Sequence, residues 1–128
     1  MSSSEFQDLI ERLRHLVAQD TSKSDASVGD LEELILTTLL SSELYGLQIV
    51  SILEQTTGRR YSTGTVYPAL NRLEQKGLIF STDREENIEE RKGARRKYYK
   101  ISALGGKCVF EAEQIRQKLY QKSWNLAT

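Results

Sequence analysis

Residues 59–80 read RRYSTGTVYPALNRLEQKGLIF, and the fold turns on this stretch. Val66, Ala69, Leu70 and Leu73 fall on one side of a 3.6-residue repeat, which predicts an amphipathic helix with that side in a core. The other side carries Gly64, Thr65, Pro68, Asn71, Arg72 and Gln75, with Tyr67 at the boundary. Proline is tolerated near a helix start, where N–H groups lack helical acceptors, so the helix cannot begin much before Ser62. It is predicted from about Thr63 to Lys76, closed by Gly77, and Leu78 then opens a run of strand character.

Upstream, Asp30 with Glu33 suits a capping box, and LEELILTTLL follows as a helix apolar nearly all round, hence buried. Ser41-Ser42 breaks it and caps a further helix, Glu43 to Thr57, ended by Gly58 in a left-handed cap. Before these, Phe6, Leu9, Ile10, Leu13, Leu16 and Val17 recur at helical spacing, and the polar DTSKSDASVGD of residues 20–30 reads as a linker. Residues 1–30 are therefore an N-terminal arm helix and its linker.

Downstream, LIFSTDRE and RKYYKIS flank the polar ENIEERKGA, which predicts a two-stranded hairpin with a long tip. From Ser102, Leu104, Cys108, Ala112, Ile115 and Leu119 form a stripe with Phe110, Tyr120 and Trp124 beside it. A long helix with such a seam needs a partner to pack on, either the arm or a second copy of the chain. The order is arm, three helices, hairpin and long helix. That is a mainly α chain with a small β-hairpin: a winged helix-turn-helix over 31–102, followed by a helix over 103–128 that serves dimerisation.

The 128 residues carry no net charge, but the charge is polarised: residues 1–58 sum to −7, 59–100 to +5 and 101–128 to +2. Six of the ten residues in RKGARRKYYK, 91–100, are basic. A neutral chain arranged this way can still offer a basic face to an anion. The predicted helix from Thr63 has a positive dipole end carrying hydroxyls from Ser62, Thr63 and Thr65, with Arg59, Arg60 and Tyr61 just upstream. A polar helix beside a basic hairpin is a common way to hold duplex DNA.

TGTVYPALNRLEQKGLI, then RRKYYKIS, preceded by ELYGLQIVSILEQTTG, closely resembles the PadR family of bacterial transcriptional regulators over roughly residues 31–107. The resemblance implies a dimeric winged-helix DNA-binding protein, usually a repressor, released by a small molecule bound between subunits. Carried onto this sequence, it places Ser62, Thr63, Thr65, Tyr67 and Asn71 nearest DNA, and Arg95, Arg96 and Lys97 of a wing from Asp83 to Lys97 on the phosphates. Arg59, Arg60, Tyr61 and Arg72 complete the expected DNA-binding set. Tyr45 and Gly46 match the turn into the family's second helix, where a packing role is expected, with a phosphate contact as a second possible role. The wing's carboxylates, Asp83, Glu85, Glu86, Glu89 and Glu90, are expected to pair with Arg91 to Lys97 across the hairpin. The dimer interface is expected to use Leu104, Cys108, Ile115, Leu119, Tyr120 and Trp124. Tyr120 and Trp124, one turn apart, could floor a pocket for a small aromatic effector.

Enzymatic function finds no support. One His and one Cys cannot make a Cys–His metal cluster, no phosphate-binding glycine motif surrounds Gly105-Gly106, and nothing calls for a cofactor. His15 falls on the polar side of the arm, and Cys108 reads as a small core group. A single cysteine fits a reducing cytoplasm, and no apolar run approaches the roughly 20 residues that cross a bilayer. The alternative is a winged-helix protein-interaction module that reads no DNA; it suits the acidic first half but leaves Arg95, Arg96 and Lys97 without a purpose.

Overall fold

A computed structural model describes residues 4, 5, 7, 8, 10–12, 28–88 and 91–127. The described residues of the arm are helical. The remainder of the arm and most of the linker, His15 included, lie outside the described residues. The body runs α1 (Asp30–Thr38), β1 (Leu44–Tyr45), α2 (Gly46–Thr57), α3 (Thr63–Gln75), β2 (Ile79–Ile88), β3 (Arg91–Ile101) and α4 (Ala103–Ala127). The strands form one antiparallel sheet in the order β1-β3-β2.

One core joins these elements. Ile35, Leu36 and Leu39 of the first helical segment meet Ile49 and Leu53 of α2, and Val66, Ala69, Leu70 and Leu73 of α3. Leu78, Ile79 and Tyr99 close it from the sheet, and Val109 from α4. The four α3 residues predicted to face inward are all fully buried. Burying a side chain of this kind stabilises the fold by about 1.5–3 kcal/mol, so this face holds α3 in place.

Several local expectations shift. The N-cap of α1 is Gly29 rather than Asp30, and Glu32 rather than Glu33 accepts the cap N–H, at 3.3 Å. The next helix starts at Gly46 rather than Glu43, because Leu44 and Tyr45 pair with Tyr99 and Tyr98 as an edge strand. Its cap is Tyr45, whose N–H donates to Gln48 Oε1 at 3.1 Å. The hairpin is therefore part of a three-stranded sheet. Its strands also run further than predicted, to Ile88 and from Arg91, with an irregularity between Glu86 and Ile88. In sequence this outer stretch, ENIEERKGAR, lacks the hydrophobic alternation that marks a strand.

Gly58 and Gly77 hold φ near +71° and +74°, ending α2 and α3 as expected. Gly77 begins a tight joint. Ser102 Oγ donates to the Gly77 carbonyl at 2.7 Å, and Ser102 N–H donates to the Leu78 carbonyl at 3.0 Å. The same Oγ accepts the Gly105 N–H at 3.0 Å, capping α4. A Cβ on Gly105 would lie 2.2 Å from the Leu78 carbonyl oxygen, so this close approach requires glycine.

Candidate nucleic-acid interface

Helix α3 presents the predicted polar face to solvent: Gly64, Thr65, Pro68, Asn71, Arg72 and Gln75 are all exposed. Its cap residue, Ser62, has extended backbone and no side-chain bond to a helix N–H. The Ser62 and Thr65 hydroxyls instead pair with each other at 2.9 Å. The first-turn N–H groups thus lack a side-chain cap and point out with the positive end of the helix dipole, where an anion is stabilised. Pro68, in the second turn, cannot donate to the Gly64 carbonyl, which leaves an acceptor on the exposed face.

The approach to this helix is ordered by two side chains of α2. Thr57 Oγ1 accepts the Arg59 N–H at 3.1 Å, and Glu54 Oε2 accepts the Tyr61 N–H at 3.4 Å. Arg59 and Arg60 are exposed, whereas Tyr61 is half-buried against the core. Tyr67 is 37% exposed and its ring covers the start of α2: a Cβ on Gly46 would fall 2.5 Å from its hydroxyl. Gly46 thereby has the expected packing role.

Arg72 is more than a surface cation. Its Nε donates to Glu32 Oε1 at 2.9 Å, while Lys76 Nζ donates to Glu32 Oε2 at 2.7 Å. Glu32 is 4% exposed and bridges α1 to Arg72 and Lys76 of α3. Burial opposes its charge, but hydrogen bonds from Lys76, Arg72 and the Gly29 N–H outweigh that and hold the carboxyl below its ordinary value of 4.5. Sequence reasoning passed over Glu32, although it shares the stripe of Ile35, Leu36 and Leu39. A carboxylate on a core stripe requires cations, and Arg72 and Lys76 lie one turn apart on α3 to supply them.

Strand alternation splits the basic run. Arg95 and Lys97 share a face with buried Tyr99, so they continue the face that packs on the helices, whereas Arg96 lies on the outer face with Tyr98. The register sets Asp83 opposite Lys97 and Glu85 opposite Arg95, as expected, but Glu86 faces Ala94 instead of a cation, and Glu89 and Glu90 lie outside the described residues. Lys97 also lies 3.7 Å from Glu74 of α3, and its Nζ is 5.9 Å from the Tyr99 ring centre. Burial, then the charges of Glu74, Tyr67 and Asp83, push the Tyr99 phenol above its ordinary value. On the outer face Arg84 pairs with Glu43. The wing root and α3 are thus joined through Glu74, which Ser81 also contacts.

Helix α4 divides its predicted seam. Leu104 and Cys108 pack on the chain's own core, and Arg116 pairs with Glu33 of α1. Further along, Ile115, Leu119, Tyr120 and Trp124 are 58%, 59%, 66% and 71% exposed in the single chain. Between α1, α2 and the first half of α4 lies an open cavity of about 710 Å³, lined by Leu34, Leu40, Ile52 and Val109 among others. Among the described residues, no group of three or more His, Cys, Asp or Glu could hold a metal, and no helix is long and apolar enough to cross a membrane.

The model of the transcriptional regulator PadR-like family matches residues 35–111. An uncharacterized protein of Lysinibacillus sphaericus is 31% identical over 85 residues, spanning 65% of this chain and 74% of its own. The X-ray structure of a PadR-like transcription factor from Bacteroides fragilis is 27% identical with a TM-score of 0.65, over 75% of this chain and 88% of that one. A PadR family transcription regulator from Clostridium difficile is 31% identical with a TM-score of 0.57, over 77% and 97% of the two chains.

Proposed function

The chain belongs to the PadR-like family of transcriptional regulators, and from that premise we propose that it is a repressor that binds a palindromic operator as a homodimer. The family consists of regulators that act on DNA and not of enzymes. The observation that carries the reading is the exposed polar face of α3, with its uncapped N-terminal turn, beside a wing root bearing Arg95 and Lys97.

Each α3 enters a major groove, where Asn71 and Thr65 meet base edges and Ser62 and Thr63 meet phosphates. Arg59, Arg60 and the wing's Arg95, Arg96 and Lys97 hold the backbone to either side. The exposed half of α4 supplies the dimer seam, because an apolar stripe of Ile115, Leu119, Tyr120 and Trp124 is costly to leave in water. Two subunits then place their α3 helices roughly one helical turn apart on the duplex. Occupying such a site in the cytoplasm occludes RNA polymerase. Tyr120 and Trp124 from both subunits offer aromatic walls to a small planar effector, whose binding releases the DNA.

The test is fluorescence anisotropy with two labelled duplexes, one from upstream of the protein's own gene and one scrambled, at low and moderate salt. Tight, salt-sensitive binding that prefers the first duplex supports the reading; no binding at either salt overturns it. The double substitution Arg96→Ala with Lys97→Ala is expected to weaken binding to both duplexes and to lower the salt slope by about 2, one for each phosphate no longer neutralised. Asn71→Ala is expected to cost about 1–3 kcal/mol on the preferred duplex only. Equal losses on both duplexes would remove Asn71 from the base-reading set.

A further inference from the structure

On the outer face of the sheet, Arg84 of β2 and Arg96 of β3 are direct cross-strand partners. Like charges directly opposite one another destabilise a sheet, so the pair needs a compensating arrangement. Tyr45 of β1 and Tyr98 of β3 are cross-strand partners next to them, with ring centres 5.6 Å apart and planes at 80°. Each arginine takes one ring: Arg96 Cζ lies 4.3 Å from the centre of Tyr45, and Arg84 Cζ lies 4.5 Å from that of Tyr98. Perpendicular rings turn their faces in different directions, so the two guanidiniums are drawn apart while both remain on the sheet. Arg84 is further neutralised by Glu43, immediately before β1.

Arg84 is tied to Glu43 within the body of the protein. Arg96 is held against the face of the Tyr45 ring, to which a guanidinium is drawn. Tyr45 also precedes Gly46, the residue on which the Tyr67 ring of α3 rests. The path Arg96–Tyr45–Gly46–Tyr67 thus runs from the wing to the recognition helix through direct contacts.

Resting on the DNA-binding reading above, we propose that Tyr45 is a positioning residue: it holds the Arg96 guanidinium on its ring and fixes where that charge meets the phosphate backbone relative to α3. Tyr45 acts through Arg96 and not on DNA itself. The stacking geometry needs the planar guanidinium, because a lysine ammonium is a point charge on a flexible stem.

The experiment measures affinity for the duplex preferred by the wild type, at two salt concentrations, with each variant's thermal unfolding followed in parallel. Tyr45→Leu is expected to lose about 3–10-fold in affinity, within the range of one cation–π contact. Tyr45→Phe, which keeps the ring, is expected to restore it. In an Arg96→Gln background, Tyr45→Leu is expected to cause no further loss. Arg96→Lys, a surface change that retains the charge, should still lose about threefold. Full affinity for Tyr45→Leu or for Arg96→Lys would overturn the proposal, and so would equal losses for Tyr45→Leu with and without Arg96. If the wild type binds no duplex, the DNA-binding reading falls and takes this one with it. If the wild type binds but the two losses add, only the role of Tyr45 falls.

Discussion

Gly105→Ala is expected to lower the unfolding free energy by about 3 kcal/mol, which for a domain of this size is a fall in Tm of roughly 12–24 °C. Helix propensity alone argues the other way, since alanine in a helix interior is favoured over glycine by about 1 kcal/mol. The obstacle decides the sign. The new methyl would lie 2.2 Å from the Leu78 carbonyl oxygen and 2.8 Å from Ile101 Cγ1. A backbone carbonyl cannot swing aside as a side chain can, and this one accepts the Ser102 N–H. Either α4 lifts away from Leu78 or that hydrogen bond breaks. Gly64→Ala is the matched control, because its nearest neighbour would be Ser62 Oγ at 3.8 Å. There the propensity gain should appear unopposed, so two identical substitutions in two helices should shift Tm in opposite directions. Thermal unfolding by circular dichroism measures both. An unchanged Tm for Gly105→Ala would refute the close packing of α4 on Leu78.

Glu32→Ala is expected to cost about 2–4 kcal/mol, the worth of hydrogen bonds to a charged group together with the space left in the core. The Arg72 and Lys76 side chains are 51% and 30% exposed, so both can return to water once the carboxylate is gone. This keeps the loss towards the lower end, below that of a fully buried pair left uncompensated. The pH dependence has a definite sign. The folded carboxyl titrates below its ordinary 4.5, so in the acid range the unfolded chain binds more protons. Its stabilising effect is complete above the unfolded value and is lost as pH falls through the folded one. Urea unfolding should therefore show wild type losing its advantage over Glu32→Gln in the acid window below 4.5, as pH falls through the lowered folded value. A gap between the two proteins that is constant across that window would show that Glu32 is not the group responsible.

What sequence could reveal depended on the range of the interaction. Helix α3 was legible because its burial pattern, its cap and its terminating Gly77 are all encoded within sixteen consecutive residues. Helix α2 was legible at its end, where Gly58 is, but not at its start. Two residues, Leu44 and Tyr45, carry no period that separates a strand from a first helical turn. Their state is decided by β3, more than fifty residues later. The outer wing was misjudged for a related reason: hydrogen bonding between strands continued where the hydrophobic alternation of the sequence had stopped.

The candidate site divides in the same way. Which residues of α3 face outward followed from a helical wheel, and the structure agrees for each of them. The basic run 95–97 could be counted but not apportioned, because assigning Arg96 to one face and its neighbours to the other needs the register with β2. The bracket of Tyr45 and Tyr98 was invisible for want of β1. Glu32 was visible in principle as an acid on a core stripe. Recognising its partners required knowing that α1 and α3 touch.

The joint at Gly77, Leu78 and Ser102 carries a consequence for how such proteins diversify. The chain leaves the body at Leu78 and re-enters it at Ser102, where the two residues share a hydrogen bond. The wing is thus a closed excursion that begins and ends at a single clasp. The angle between α3 and α4 is set at that clasp and not by the length of ribbon beyond it. Adding or removing paired residues near the tip alters how far the ribbon reaches along a binding partner while leaving the helical framework undisturbed. The cost of lengthening such a loop grows only slowly, by about 0.6 kcal/mol per doubling. Reach is therefore a nearly independent variable in this architecture, open to change without a matching repair in the core.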